Sequence, residues 1–194
     1  MKSLESMTPA ELAALFPIIL EPHRDVWRTW YAQENARLQA LLPKEAAFRL
    51  THIGSTAIDG IWAKPTVDML LEAASEAAFA TLAQRLAACG YICMHREAGR
   101  ASFNRGYTPQ DFAEEVFHLH LRLRGDADEI YFRDYLNLRP ELAAQYERLK
   151  LSLWRPYEHD RDGYTAAKGE FIRRVTMEAK EFFQKRVAEG KGTK

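Results

Sequence analysis

The stretch His52-Ile53-Gly54-Ser55-Thr56, followed by Lys64-Pro65-Thr66-Val67-Asp68-Met69-Leu70, decides how this chain is read. Before it, Phe48-Arg49-Leu50-Thr51-His52-Ile53 alternates apolar and polar residues, the pattern of a half-buried strand. Gly54-Ser55-Thr56 stands at that strand's end. Gly60 and Pro65 interrupt the chain, and Thr66 to Glu72 reads as a second, mostly apolar strand. A glycine at a strand end lets backbone come close to a phosphate, because no side chain intervenes. Ser55 adds a hydroxyl, and consecutive N–H groups at such a turn can form an anion nest. Lys64 can neutralise phosphate charge. Asp68 can offer oxygen to a hard divalent cation. Together these are the minimum parts for nucleotidyl transfer, in which a metal neutralises charge on the reacting phosphate.

Working outward, Thr8-Pro9-Ala10-Glu11 carries the signature of a helix start, with Thr8 as cap and Glu11 closing a capping box. A second helix is expected from about Val26 to Leu42. Ser75 can cap a third over Glu76 to Ala88, with Phe79, Leu82, Ala83 and Leu86 on one face and Gly90 placed as a C-terminal cap. Strand-like runs follow at Tyr91 to His95, Ala101 to Tyr107 and Glu115 to Leu123, with a loop at Gly106 to Glu114. From Asp128 the chain is helical again, broken at Arg139-Pro140. A last helix is expected from about Gly163 to Val187, with Phe171, Val175, Ala179, Phe182 and Phe183 at helical spacing. Glu189 to Lys194 reads as a frayed tail. Strands in the middle and helices at both ends predict an α+β fold, a mixed sheet flanked by helices with further helices at the C-terminus.

The bulk properties exclude several classes. The chain has 194 residues, 47% hydrophobic and 28% charged, which suits one globular domain. Lys plus Arg and Asp plus Glu are equal at 27 each, so there is no global pull toward nucleic acid or anionic lipid. No apolar stretch approaches the roughly 20 residues that span a bilayer. The N-terminus has no secretory h-region. Cys89 and Cys93 read as two thiols in or near the core, and the expectation is a cytoplasmic protein. Oligomeric state is not legible.

The ordered set His52-Ile53-Gly54-Ser55-Thr56-Ala57, Gly60, Ala63-Lys64-Pro65 and Val67-Asp68 resembles the central block of the GrpB-like family, within the polymerase-β type of nucleotidyltransferases. Trp27 upstream extends the match. So do Phe117-His118-Leu119-His120, Phe132-Arg133-Asp134-Tyr135-Leu136, Pro140, Tyr146, Leu149-Lys150, Tyr164-Thr165, Lys168 and Phe171 downstream. The resemblance implies a nucleotidyltransferase-like fold. It also implies a metal-dependent transferase that takes a nucleoside triphosphate through Gly54, Ser55 and Asp68, the partner being a nucleotide or phosphorylated small molecule.

One departure stands out. In active members the second residue after the first carboxylate is also acidic, and here it is Leu70. Side chains alternate along a strand, so Asp68 and Leu70 share a face and the usual metal partner is missing. Glu72 shares that face but lies roughly 13 Å further on, at about 3.3 Å per residue. His118 and His120, two apart on one strand, are the candidates to repair the site. Asp68, His118 and His120 are therefore the catalytic candidates, and Asp68 with His120 the metal candidates. Mg²⁺ or Mn²⁺ is the expected ion and Zn²⁺ the option, although an Asp-plus-His set suits Zn²⁺, Mn²⁺ or Fe²⁺ better than Mg²⁺. Lys64, Arg105, Arg133 and Lys168 join Gly54 and Ser55 as substrate-binding candidates. The alternative is a module that binds a nucleotide or phosphometabolite without turnover.

Overall fold

A computed structural model describes residues 3–191, with the side chains of Glu5 and of 189–191 left aside. Helix α1 (Pro9–Leu15) starts as its sequence dictates. The Glu11 N–H donates to Thr8 Oγ1 at 3.3 Å and the Thr8 N–H donates to the Glu11 carboxylate at 2.7 Å. Helix α2 (Val26–Leu41) leads into strand β1 (Phe48–Ile53), and β2 (Val67–Ala73) follows the Gly54–Pro65 connection. Helix α3 (Glu76–Ala88) opens with Ser75 accepting from the Ala78 N–H and is followed by Gly90 at φ +81°. Then come β3 (Ile92–Glu97), β4 (Arg100–Tyr107) and β5 (Phe112–Leu123). The chain closes with α4 (Asp128–Leu138), α5 (Pro140–Trp154), α6 (Arg161–Ala167) and α7 (Gly169–Lys191).

The five strands form one mixed sheet in the order β1-β2-β5-β4-β3. Only β2 and β5 are parallel, and the remaining pairs are antiparallel. The α+β expectation holds, and three boundaries shift. The loop expected at Gly106 to Glu114 shrinks to a tight turn, because the Thr108 N–H donates to Asp111 O and β5 begins at Phe112. The last expected helix is two: α6 ends before Lys168, and α7 restarts at Gly169. The expected frayed tail is still helical at 189–191, and its last residues, 192–194, lie outside the described residues.

Strand alternation divides the sheet into two faces. Met69, Leu71, Phe117, Leu119, Leu121 and Phe103 face α2 and α3 and form the larger core with Trp27, Leu38 and Leu82. The opposite parity carries Asp68, His118 and His120 toward the C-terminal helices. Those helices hold their own cluster of Phe132, Leu136, Tyr146 and Val175 around Ile58 and Ile61. Cys89 is buried as expected, whereas Cys93 is exposed on the edge strand β3, which has no sheet neighbour on its outer side.

Glu34 is a carboxylate inside the larger core's rim, 3% exposed. It accepts from Arg37, from Arg105 at 2.8 Å and from the Tyr91 hydroxyl at 2.8 Å, which pushes the Tyr91 hydroxyl's pKa up through burial and Glu34's charge. Removing the acid strands two guanidinium groups and a buried phenol. Glu34→Ala should therefore destabilise the protein by about 2–3 kcal/mol in urea unfolding with an unchanged m-value.

Candidate functional site

Gly54 ends β1 at φ +72°, in the region open to glycine, and a 3-10 turn over Ser55–Ala57 follows at once. The turn is tied down from inside. Thr56 Oγ1 donates to Thr66 O at 3.2 Å and meets His52 Nε2 at 3.0 Å. Arg133 donates to His52 O from α4. These bonds hold the end of β1 against the start of β2, where Ile53 pairs with Asp68. The Asp68 side chain lies directly against Gly54. A Cβ built on Gly54 would come within 2.2 Å of Asp68 Oδ2.

On its other side Asp68 pairs in register with His118 of β5. His118 Nδ1 is 3.4 Å and His120 Nε2 is 3.8 Å from Asp68 Oδ1. Burial pushes the carboxyl's pKa upward, but the two imidazoles outweigh it and hold the group well below the usual carboxylate range. His118 is itself pushed down by burial, against the pull of Asp68. Its tautomer follows from its neighbours. Arg161 can only donate, and its Nη1 reaches the Tyr107 hydroxyl at 2.9 Å. The Tyr107 O–H is then free to donate to His118 Nε2 at 2.7 Å, which leaves the His118 proton on Nδ1, facing Asp68. His118 is thus an oriented neutral donor, occupied on both nitrogens.

A cleft of about 580 Å³ opens in front of Asp68. Ile53, Gly54, Ser55 and His120 line it from the sheet, and Phe132, Tyr146 and Thr165 from the helices. Helix α7 adds Arg173, Thr176 and Lys180, spaced so that one face looks inward. Lys180 is paired with Asp128 at 2.5 Å. Arg173 is exposed at the cleft and, among the described residues, takes part in no ion pair.

Three lysines are coupled by charge to one another, and two of them to Asp68. Burial and the nearby Arg161 push Lys64 down to about 8, with Asp68 opposing. Burial and Lys64 push Lys168 down to about 8; its ammonium sits 4.0 Å over the Tyr164 ring. Burial and Lys168 push Lys150 down to about 7, while it donates to Trp62 O and lies 4.9 Å over Tyr146. Arg161, Lys64, Lys168 and Lys150 thus form a chain of mutually repelling cations, and Asp68 is the carboxylate that answers Lys64 and Lys168. Such an imbalance favours an anion.

The sequence candidates therefore separate. Gly54, Ser55, Asp68 and His120 meet at the cleft. His118 stands behind Asp68. Lys64 and Lys168 act on the site through charge without lining its mouth. Arg133 serves the backbone of β1 and pairs with Asp134 at 2.6 Å. Arg105 is corrected: it shares the parity of Phe117, lies 4.6 Å over that ring, and bonds Glu34 on the opposite face of the sheet. His52 also points away, stacked on Tyr31 at 4.8 Å, and burial pushes it down to about 4. Sequence reading passed over Tyr107, Arg161 and Arg173. The inward spacing of Arg173, Thr176 and Lys180 was the one available signal for the last.

The donor set offers a place for no more than one cation. Asp68 and His120 face the cleft together, while Leu70, paired with His120, is fully buried and apolar. Among the described residues no group of three or more His, Cys, Asp and Glu is placed to hold a metal ion. A zinc site made wholly of side chains needs more ligands than this. A Mg²⁺-type ion, completed by phosphate oxygens and water, does not.

Two outcomes follow. Gly54→Ala should displace the Asp68 carboxylate and cost about 1–3 kcal/mol from a backbone conformation essentially confined to glycine, read by thermal melting. For the lysines, an unfolded chain keeps its protons up to about 10.5, whereas folded Lys64 gives its proton up near 8. The unfolded state then binds more protons, so stability of the free protein should rise from pH 7 to 9.5, and Lys64→Met should flatten that rise.

A family model described as GrpB protein matches residues 17–178. The glutamate-rich protein GrpB of Alkalihalophilus pseudofirmus is 30% identical over 167 residues, 83% of this chain and 95% of that protein. A UPF0157 protein of Deinococcus radiodurans is 32% identical over 165 residues, 84% of this chain and 82% of that one. The crystal structure of the conserved protein GrpB from Enterococcus faecalis superposes with a TM-score of 0.72 at 24% identity, over 85% of this chain and 99% of that one. A Cid1 poly(U) polymerase structure with MgGTP bound matches more loosely, at a TM-score of 0.47 and 14% identity over 67% of this chain and 42% of the other. By its matched residues and its fold, the chain belongs to the GrpB family.

Proposed function

We propose that the cleft binds the phosphates of a nucleoside triphosphate and that the chain transfers a nucleotidyl group with a single divalent ion. The observation that carries this reading is the Asp68 carboxylate, wedged against Gly54 and held ionised by His118 and His120 beside a group of unbalanced cations. Gly54 and Ser55 would give backbone N–H groups and a hydroxyl to the phosphates. Lys64 and Lys168 would supply positive charge from behind, and Arg173 from the cleft's rim. A bound phosphate would repay the repulsion among these cations and draw protons onto the lysines. Asp68 and His120 would hold the ion. Mg²⁺ or Mn²⁺, when bound, supplies charge neutralisation at the reacting phosphate. The resemblance of the Gly54-Ser55 and Asp68 segments to polymerase-β-type nucleotidyltransferases supports the same assignment.

A second reading, binding without turnover, draws on Leu70. An apolar, fully buried residue stands where a second carboxylate would complete a pair of metal sites. The two readings share the phosphate site and differ only in chemistry.

Calorimetric titration with the four common nucleoside triphosphates, with and without Mg²⁺ or Mn²⁺, tests both. Tight binding that requires the metal, lost at least tenfold in Asp68→Asn and reduced in His120→Ala, is the expected result. A ligand at 100 times its Kd should add about 2.7 kcal/mol to stability, visible as a raised Tm. Release of pyrophosphate on incubation would support transfer, and tight binding with no release would favour the second reading. Metal-independent binding of equal strength in Asp68→Asn would overturn the role given to Asp68.

A further inference from the structure

A second cavity, of about 560 Å³, lies on the same face of the sheet as Asp68. The registers place it. Asp68 pairs with His118, His118 with Asn104, and Asn104 with Ile92, so these four side chains form one row across β2, β5, β4 and β3. Asn104 and Ile92 line the cavity. Two strand spacings of about 4.8 Å separate Asn104 from Asp68, roughly 10 Å in all. Its walls are apolar: Leu12 and Phe16 come from α1 and the segment after it, and Ile92 and Met94 from the edge strand. Ile92 and Met94 are 53% and 60% exposed, an unusual position for two large apolar side chains side by side.

The polar groups gather where Tyr107 and Arg161 meet the cavity. Tyr107 lines it with its ring while its hydroxyl bonds His118. Arg161 lines it too, donating to Tyr107 and to Phe16 O. Among the described residues Arg161 is in no ion pair, and its Nη2 is buried without a hydrogen-bond partner. Two carboxylates are close by. Asp160 is committed to capping α6, accepting from the Gly163 N–H at 2.9 Å, and Asp162 is exposed. His159 is likewise engaged, with Nδ1 2.9 Å from Ala13 O. Arg161, which lies 5.3 Å over the Tyr107 ring and 5.7 Å over that of Phe112, is therefore a cation without an acid partner, among the described residues, in a mostly apolar cavity of ordinary ligand size whose polar lining is Asn104, His159, Asp160 and Asp162.

We propose that this cavity is a second ligand site, and that it takes a small amphipathic molecule with an apolar body and one carboxylate head. The body lies against Leu12, Phe16, Ile92 and Met94. The head pairs with Arg161, with Asn104 and Tyr107 beside it. Arginine's planar fork suits a carboxylate, and a buried cation gains most from a partner that shares its burial. The site is separate from the phosphate cleft but is joined to it through Tyr107 and His118.

Three probes of equal chain length separate charge from greasiness: octanoate, 1-octanol and octylamine, titrated calorimetrically into the protein without nucleotide. Octanoate is expected to bind saturably and at least tenfold more tightly than either of the others. Leu12→Asp should abolish octanoate binding; α1 has no fully buried residue, so this variant keeps its fold. Arg161→Gln should bring octanoate down to the level of octanol and leave octanol unchanged. Should Arg161→Gln fail to fold, Leu12→Asp still decides. Equal affinity for all three probes, no saturable octanoate binding, or full binding by Leu12→Asp would overturn the proposal. Because no nucleotide is present, the result is independent of whether the phosphate cleft binds one.

Discussion

The Asp68 carboxylate and the Gly54 backbone occupy adjoining space, with no room for so much as a methyl group between them. That contact requires glycine twice over: for the missing Cβ and for the positive φ at which β1 turns into Ser55–Ala57. The surrounding bonds make sense as supports for it. Thr56 ties the turn to Thr66, at the foot of β2, and Arg133 ties the His52 carbonyl of β1 to α4. The antiparallel pairing of Ile53 with Asp68 and the parallel pairing of Asp68 with His118 bring acid, turn and imidazole to one point. A slip of one residue in either register would send Asp68 to the opposite face, into the apolar core formed with α2 and α3.

The second constraint is electrostatic. Holding three ammonium groups near one another, Lys150 buried and Lys64 and Lys168 half-buried, is costly unless something offsets the cost. Lys150 is satisfied locally by Trp62 O and the Tyr146 ring, which makes it a structural cation. Lys64 and Lys168 have fewer local partners and feel Asp68. The gradient from Lys150 toward Asp68 therefore runs from satisfied to unsatisfied charge. On the proposed reading, an anion at Gly54 would meet the unsatisfied end. The fold spends stability here to keep positive charge in a half-dry place, the usual mark of a site rather than of a core.

Much of this was legible in the sequence, for local reasons. Caps at Thr8 and Ser75, the glycine after α3 and Pro140 at the start of α5 act within a few residues, so the chain announces them. The shared face of Asp68, Leu70 and Glu72 needs only the period of a strand. What stayed hidden depends on pairing between distant segments. Whether Arg105 faces the cleft rests on its register with Phe117, which alternation within β4 alone cannot supply. The bond between Tyr107 and His118 crosses the tight turn joining β4 to β5, beside the irregularity between Arg105 and Tyr107. The break between α6 and α7 has no proline to announce it: the apolar spacing runs on through Lys168 and Gly169, and tertiary packing decides.

Leu70 brings these strands together. In a site with two neighbouring carboxylates each raises the other's pKa, and cations are needed to keep both ionised. With leucine at that place, Asp68 has no acidic residue two positions on along its strand face and is held ionised chiefly by His118 and His120. The orientation of His118 by Tyr107 and Arg161 then matters more than it would in a carboxylate pair, because a rotated ring, or a neutral one with its proton moved to Nε2, would turn a lone pair toward the acid in place of a donor. The same substitution leaves the surrounding cations under-neutralised. On the proposed reading, the single carboxylate and the charge of Lys64 and Lys168 would together receive a phosphate and one metal ion. A two-carboxylate site depends on its metals to make phosphate welcome at all. On the proposed reading, the apolar residue at position 70 leaves one carboxylate to hold one ion, without altering the fold that presents it.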